Sequence, residues 1–352
     1  MLLLLDPTRQ QRERESERRR KACVTGGAGY VGSSLVKKLL EKGYTVHSTL
    51  RNLQDESKTS IRRGFPQANE RLVLFEADIY KPHDYEAAIQ GCEIVFHVAT
   101  PFEHQKDSQF KNTSEAAIAG VKSIAKYCIN SGTVRRLIYT ASVVAASPLK
   151  DDGTGFKDFI DETCWTPLNL SAGSNDLLKW YTDSKTRAEK EILSYGKGEN
   201  GCGGLEVVSL ACGIVGGETF LNFTPLSAAV LISQVKDNEA TWHSLKFLEE
   251  LDGKIPVVHI DDVCEAHIFC AENPSTKGRF LVASSYVSSA DIAHHFFQTY
   301  PEFHLKQRYL EGPKREIKWA STKLTDKGFV YKNNLKMILD DCIGCAKRTG
   351  YL

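Results

Sequence analysis

One short segment near the start of the chain restricts the possible folds more than any other. It lies between an apolar run that begins at Lys21 and a stretch over 33–42 whose apolar residues recur at helical spacing. In such a strand-turn-helix unit, Gly26 permits a tight turn, Gly29 lets the backbone approach a pyrophosphate, and Gly32 lets the helix pack closely. Free N–H groups at the start of the helix favour an anion. The segment therefore predicts a dinucleotide site built from Thr25, Gly26, Gly29, Tyr30, Val31 and Gly32.

The rest of the chain alternates between short apolar runs and helical patterns. The runs that predict strands are 44–50, 72–77, 94–98, 137–141 and 207–215, and the main helical patterns are 84–90, 114–128 and 176–193. This alternation predicts an α/β fold with a Rossmann-type doubly wound parallel sheet. The pattern becomes less regular after Gly216. We therefore expect one folded unit over 21–352, with a smaller C-terminal substrate lobe built mainly from 216–352.

Composition excludes several classes of partner and site. The net charge of +1 gives no field that attracts nucleic acid, and no segment is long and apolar enough for membrane insertion. Residues 1–20 carry mixed charges and predict a disordered tail.

Most of the ten cysteines lie in apolar stretches, which favours thiols in a reducing, cytoplasmic compartment. Neither the Cys342 and Cys345 pair nor His259 with Asp261 and Asp262 has further ligands at suitable spacing, so no metal site is predicted.

The end of the second predicted strand indicates which dinucleotide binds. An NAD enzyme usually has a carboxylate there for the ribose 2′-hydroxyl, whereas this chain has Arg51, and no acid precedes Asp55. A guanidinium suits a 2′-phosphate, and Lys58 adds a second positive charge. The predicted cofactor is therefore NADPH. By their positions after strands, Asp78 and Ile79 are expected near the adenine, and Val98, Ala99 and Thr100 along the path of the cofactor.

Three further residues form a candidate catalytic group. Tyr181 and Lys185 are four residues apart, on one face of a predicted helix. A nearby ammonium is expected to lower the pKa of the phenol from about 10 towards the working range. Lys185 is also expected to bind the nicotinamide ribose. Ser142 ends a predicted strand where its hydroxyl would hold a substrate carbonyl while Tyr181 protonates it.

With these residues established, the chain resembles the plant dihydroflavonol reductase group of extended short-chain dehydrogenase/reductases, which includes anthocyanidin reductase and vestitone reductase. The resemblance covers 21–352. It rests on the glycine loop, the segments 95–101 and 258–263, the pair Tyr181 and Lys185, and the ending 347–352. It implies NADPH-dependent reduction of a flavonoid-like or related aromatic carbonyl compound in the cytosol, by a monomer or weak homodimer. It also assigns Arg51 and Lys58 to the 2′-phosphate and Ser142, Tyr181 and Lys185 to catalysis.

The chain departs from the group at three places, of which the first should be tolerated and the other two leave the substrate open. Ala141 precedes Ser142 where the group usually has a second serine. Ala211 and Cys212 replace a usual Pro-Thr beside the expected nicotinamide site, to which Ala211 and Ile214 are assigned. Ser147 stands where dihydroflavonol reductases have an asparagine that meets the substrate. Two alternatives stay open: a nucleotide-sugar epimerase or dehydratase, and a non-catalytic NADP(H)-binding regulatory protein.

Overall fold

The computed structural model describes residues 20–101, 104–105, 107–152, 154–168, 176–196 and 204–352 of the chain. The predicted tail, apart from Arg20, lies outside the described residues. The strands are β1 (Lys21–Thr25), β2 (Thr45–Leu50), β3 (Leu72–Glu76), β4 (Ile94–His97), β5 (Arg136–Ser142), β6 (Phe159–Ile160), β7 (Glu206–Cys212), β8 (Ile214–Gly216), β9 (Ile255–His259), β10 (Gly278–Val282), β11 (Ser285–Val287) and β12 (Lys318–Trp319).

The helices alternate with these strands in the first half of the chain and cluster in the second half. They are α1 (Tyr30–Glu41), α2 (Glu56–Arg63), α3 (Ala68–Arg71), α4 (Tyr85–Ile89), α5 (Thr113–Asn130), α6 (Asp176–Gly196), α7 (Leu226–Leu231), α8 (Ser233–Lys236), α9 (Glu239–Asp252), α10 (Ile260–Glu272), α11 (Ser289–Thr299) and α12 (Leu335–Arg348).

Seven strands form the central sheet, in the order β10-β7-β5-β4-β1-β2-β3, and every neighbouring pair is parallel. The strand order reverses between β1 and β4, which is the switch point where doubly wound sheets bind ligands. The carboxyl ends of the strands share one edge. The predicted Rossmann-type sheet is confirmed.

Both faces of the sheet are covered because its strands alternate their side chains between two hydrophobic clusters. Cys23 and Val95 point into one cluster, which α4, α5 and α6 complete. Ala22 and Val24 point into the other, which α1 and α10 complete. A sheet buried on both faces explains why the strand segments are almost continuously apolar.

The predicted strand over 207–215 is two strands in two sheets. Gly213 separates β7 from β8, and a Cβ at this position would lie 2.5 Å from the carbonyl oxygen of Pro256. β8 pairs with β9, and β9 pairs with β11, in a separate three-stranded sheet. Helices α7, α9, α11 and α12 pack around this second sheet in a third apolar cluster. The range 216–352 also supplies β10 to the main sheet and α10 to one of the clusters that cover it. The boundary of a substrate lobe therefore stays a prediction.

No helix within the described ranges is long and apolar enough to cross a membrane.

Candidate active site

The glycine loop has the geometry that its sequence predicts. Gly26 has φ of +69°, and a Cβ there would lie 2.9 Å from the Cα of Ala99. A Cβ at Gly32 would lie 2.2 Å from the carbonyl oxygen of Gly26. Gly29, by contrast, is exposed, and its Cβ would meet only that same oxygen, at 3.4 Å. Two glycines therefore close the turn, and the third leaves backbone open to a ligand.

The start of α1 offers the loop an electropositive end. Gly29 is the N-cap, no side chain caps the helix there, and the first turn has no acidic residue. Tyr30 and Val31, which open the helix, are half-buried. The unbonded N–H groups and the helix dipole suit a phosphate group. The loop and the helix start together fit the pyrophosphate of a dinucleotide.

Thr25 joins the ends of β1 and β4 beneath this loop. Its Oγ1 accepts hydrogen bonds from the backbone N–H groups of Val98 (3.0 Å) and Ala99 (3.1 Å). The hydroxyl therefore donates its proton to Nδ1 of His97, 2.9 Å away. Burial lowers the pKa of His97 to about 3, so the imidazole is a neutral acceptor. The predicted cofactor path over Val98 and Ala99 is thus held rigidly to the end of β1.

The residues assigned to the adenosine half lie after β2 and β3. Arg51 directly follows β2 and is exposed. Lys58, in α2, has its Nζ 3.0 Å from a carboxylate oxygen of Asp55. Asp78 is half-buried and accepts a hydrogen bond from Nε2 of Gln105 (3.2 Å), and Ile79 beside it is buried. These residues lie at the predicted sheet edge, and Lys58 already neutralises one carboxylate there.

Ser142 and Tyr181 meet at the carboxyl end of β5. Ser142 ends the strand, and its hydroxyl is hydrogen bonded to that of Tyr181. Burial raises the pKa of Tyr181 to about 12, although the bond to Ser142 acts in the opposite direction. The expected lowering of the Tyr181 pKa by Lys185 is therefore not met in the structure. The phenol holds its proton at neutral pH.

The position of the Lys185 ammonium explains why it does not lower the pKa of Tyr181. Nζ donates to Oγ1 of Thr100 at 2.8 Å and to the carbonyl oxygen of Thr140 at 3.1 Å. It lies 5.9 Å from the ring centroid of Tyr181. Burial lowers the pKa of Lys185 to about 8, so the side chain is mostly charged at pH 7. Thr100, predicted only to line the cofactor path, is thus also a hydrogen-bond partner of Lys185.

A buried ion pair holds the helix that carries Tyr181 and Lys185. Glu189, one turn beyond Lys185, is fully buried, and both of its carboxylate oxygens lie 3.0 Å from guanidinium nitrogens of Arg279 in β10. Ser209 in β7 also donates to this carboxylate, at 2.6 Å. This anchor was not predicted from the sequence. Its only signal is an arginine inside an otherwise apolar strand.

The second and third departures from the reductase group, at Ala211 with Cys212 and at Ser147, are buried in the protein. Cys212 pairs in register with Ser142, and Lys185 is close enough to act on the pKa of its thiol, which burial raises to about 12. Ala211 is fully buried in the sheet, and Ile214 packs against the cluster of the second sheet. Ser147 is fully buried, and its hydroxyl donates to the carbonyl oxygen of Leu251. Ser147 therefore has a partner within the protein.

His259 makes two hydrogen bonds within the protein. Its Nδ1 accepts from the backbone N–H of Asp261 at 3.1 Å, so Nε2 carries the proton that bonds Asp341 at 3.0 Å. Among the described residues, no cluster of three or more His, Cys, Asp or Glu side chains could hold a metal ion. The nine described cysteines are buried free thiols.

Comparisons with known proteins agree with this geometry. A family model described as the NAD dependent epimerase/dehydratase family matches residues 22–283. The chain belongs to this family. It is 34% identical over 331 residues to a putative anthocyanidin reductase of Ginkgo biloba, covering 94% of this chain and 95% of that protein. It is 33% identical over 333 residues to a dihydroflavonol 4-reductase of Callistephus chinensis, covering 94% of this chain and 87% of that protein.

A solved structure of a similar protein has the same architecture as this chain. The crystal structure of vestitone reductase from alfalfa (Medicago sativa) matches with a TM-score of 0.76 and 32% sequence identity, covering 94% of this chain and 99% of that one. These matches confirm the predicted resemblance to the plant reductase group and the assignment to the oxidoreductases. The family is NAD dependent by description, which agrees with a nicotinamide cofactor.

Proposed function

We propose that the protein reduces a carbonyl group of a flavonoid-like or related aromatic compound, with NADPH as the cofactor. The observation that carries the proposal is the meeting of Ser142, Tyr181 and Lys185 at the sheet edge that also carries the glycine loop. The named activities of the relatives support the same reaction class.

Each of the three residues has a distinct role. Ser142 positions the substrate oxygen by a hydrogen bond, which its place at the end of β5 allows. Tyr181 donates its proton to that oxygen, and the raised pKa of the phenol ensures that the proton is present at neutral pH. Lys185 supplies positive charge that stabilises the phenolate as it forms, because Thr100 and Thr140 hold the ammonium beside the ring.

NADPH, when bound, supplies the hydride for this reduction. The N–H groups at the start of α1 would hold the pyrophosphate, and the missing side chain of Gly29 would let the phosphates come close. Arg51 would meet the 2′-phosphate, because it is exposed where β2 ends. Lys58 would add positive charge near the 2′-phosphate, and its pairing with Asp55 would partly neutralise that charge.

A substitution at Arg51 tests the cofactor preference. Arg51→Ala should weaken NADPH binding by roughly 10- to 150-fold, the value of one charge-assisted hydrogen bond, and leave NADH binding almost unchanged. Arg135→Ala is the matched control, since Arg135 is also exposed but precedes β5, at the opposite edge of the sheet. Binding would be followed by cofactor fluorescence. Equal losses for both dinucleotides would contradict the assignment.

A product assay tests the substrate class. Purified protein would be incubated with NADPH and a panel of anthocyanidins, dihydroflavonols, isoflavanones and aromatic aldehydes, with products identified by mass spectrometry. We expect a product from at least one flavonoid class that is heavier by two hydrogens for each hydride and proton transferred. Nucleotide sugars form a further arm of the panel. Their turnover with no flavonoid product would instead support the epimerase or dehydratase alternative, which matches the description of the family. Dinucleotide binding without any turnover would support a regulatory protein.

We further propose that the protein acts in the cytosol as a monomer or weak homodimer. The free thiols of the nine described cysteines suit a reducing compartment. Size-exclusion chromatography with light scattering tests the oligomeric state, and a stable tetramer would contradict it.

A further inference from the structure

The phenol of Tyr30 connects the glycine loop to a distant part of the chain. Tyr30 is the first residue of α1 and directly follows Gly29, the exposed glycine of the loop. Its Oη donates a hydrogen bond to the carbonyl oxygen of Gly217, 3.0 Å away and 187 residues further along the chain. Gly217 directly follows β8 in the second sheet. One bond thus joins the backbone that would hold the pyrophosphate to the C-terminal part of the protein.

The acceptor of this bond is held in place on several sides. Gly217 has φ of +114°, where a side chain is strained, and a Cβ there would lie 2.6 Å from Nε2 of His259. The N–H of Gly217 donates to Sγ of Cys342 in α12 at 3.2 Å. His259 in turn bonds Asp341, also in α12. The residue whose carbonyl oxygen accepts from the phenol is therefore itself hydrogen bonded to the C-terminal helix.

A second contact runs between the same two regions. The ring of Phe220, three residues after Gly217, lies 5.5 Å from that of Phe65, which follows α2. Nζ of Lys37 in α1 lies 5.3 Å from the centroid of Phe220. The segment 217–220 thus runs along α1 from its first residue towards its last turn.

We propose that Tyr30 is a positioning residue for the cofactor, and that its phenol preorganises the glycine loop by fastening it to segment 217–220 and α12. A loop that is already held in its binding conformation loses less entropy when a dinucleotide binds. Removing the phenolic hydroxyl lowers the fraction of molecules whose loop is in the binding conformation. The measured dissociation constant rises in inverse proportion to that fraction. This inference rests on the proposed dinucleotide function of the loop.

Tyr30→Phe isolates the hydrogen bond because the ring stays. The expected result is a dissociation constant for NADPH that rises roughly two- to tenfold, the factor that one neutral hydrogen bond supplies. NADH binding should weaken by the same factor, because the phenol acts on the loop and not on the 2′-phosphate. The KM for NADPH should rise, with kcat close to that of the wild type.

Tyr44→Phe is the matched control. The phenol of Tyr44 also joins the first half of the chain to the second, donating to Glu272 of α10 at 3.0 Å, but Tyr44 precedes β2 at the edge opposite the cofactor. It should leave both dissociation constants unchanged. If Tyr44→Phe weakened binding as much as Tyr30→Phe, general destabilisation would explain the effect and the inference would be wrong.

Hydrogen exchange of the cofactor-free protein provides a readout that does not depend on activity. Amides over 29–34 should exchange faster in Tyr30→Phe than in wild type or Tyr44→Phe. Unchanged exchange, or unchanged dissociation constants for both dinucleotides, would overturn the inference. A wild-type protein that bound neither dinucleotide would contradict the proposed function, and the exchange data would still decide whether the phenol orders the loop.

Discussion

Replacing Thr100 by valine should change the pH dependence of the enzyme by a predictable amount. The hydroxyl of Thr100 accepts a hydrogen bond from the ammonium of Lys185 at 2.8 Å, and the carbonyl oxygen of Thr140 accepts another at 3.1 Å. Both bonds favour the charged form of a side chain whose pKa burial already lowers to about 8. Thr100→Val keeps the shape and removes one of the two.

The size of the effect follows from the value of such a bond. A hydrogen bond to a charged group is worth about 1.5–3 kcal/mol, and one pKa unit corresponds to about 1.36 kcal/mol. The pKa of Lys185 should therefore fall by roughly one to two further units in the variant. If the ammonium supports the proton transfer, as we propose, the alkaline limb of the activity profile should move to lower pH by the same amount.

The assay is the pH profile of kcat/KM for NADPH, which reports ionisations of the free enzyme. Thr182→Val is the matched control, because Thr182 lies on α6 beside Tyr181 and its buried hydroxyl has no hydrogen-bond partner among the described residues. Its profile should match that of the wild type. An unshifted alkaline limb in Thr100→Val would show that this bond does not set the ionisation of Lys185.

Two further predictions concern stability. Glu189→Gln leaves the guanidinium of Arg279 buried without its charge partner and should cost about 3–5 kcal/mol in urea unfolding, against at most about 1 kcal/mol for Asp183→Asn, which breaks an exposed pair; equal costs would contradict the proposed anchor. Asp252→Asn should stabilise the protein increasingly as pH rises above 4. Both carboxylate oxygens of Asp252 are buried without a hydrogen bond to any residue that the structure describes, and burial raises the pKa of this carboxyl above the ordinary 3.8. Because the unfolded state then releases a proton that the folded state retains, wild-type stability falls by about 1.4 kcal/mol per pH unit between those two pKa values; a difference independent of pH would contradict this.

The sheet edge was predictable from sequence because local rules place its residues. Gly26, Gly29 and Gly32 are required by a turn whose strand and helix are visible in the hydrophobic pattern, and their sterics agree. Ser142 and Tyr181 come from a strand end and from helical spacing. Parallel strands bring their carboxyl ends to one edge, so residues far apart in sequence meet without further information.

The remaining features depend on contacts that sequence patterns do not contain. The direction of the Lys185 ammonium is set by Thr100 and Thr140, which come from two other strand ends. The raised pKa of Tyr181 follows from burial by the whole fold, which outweighs the neighbouring charge that the spacing suggested. The break at Gly213 depends on the backbone of Pro256, 43 residues later, and continuous apolar character hid it.

The central claim, that Tyr181 is the proton donor, is tested most directly by Tyr181→Phe on a substrate for which chemistry is rate-limiting. Tyr195→Phe is the control, since it removes a buried phenol from the same helix, about 21 Å along its axis. We expect Tyr181→Phe to bind NADPH with nearly wild-type affinity, measured by fluorescence, while its kcat falls roughly 10²–10⁴-fold. The control should retain its kcat. A Tyr181→Phe enzyme that binds NADPH and retains most of its kcat would show that Tyr181 is not the proton donor.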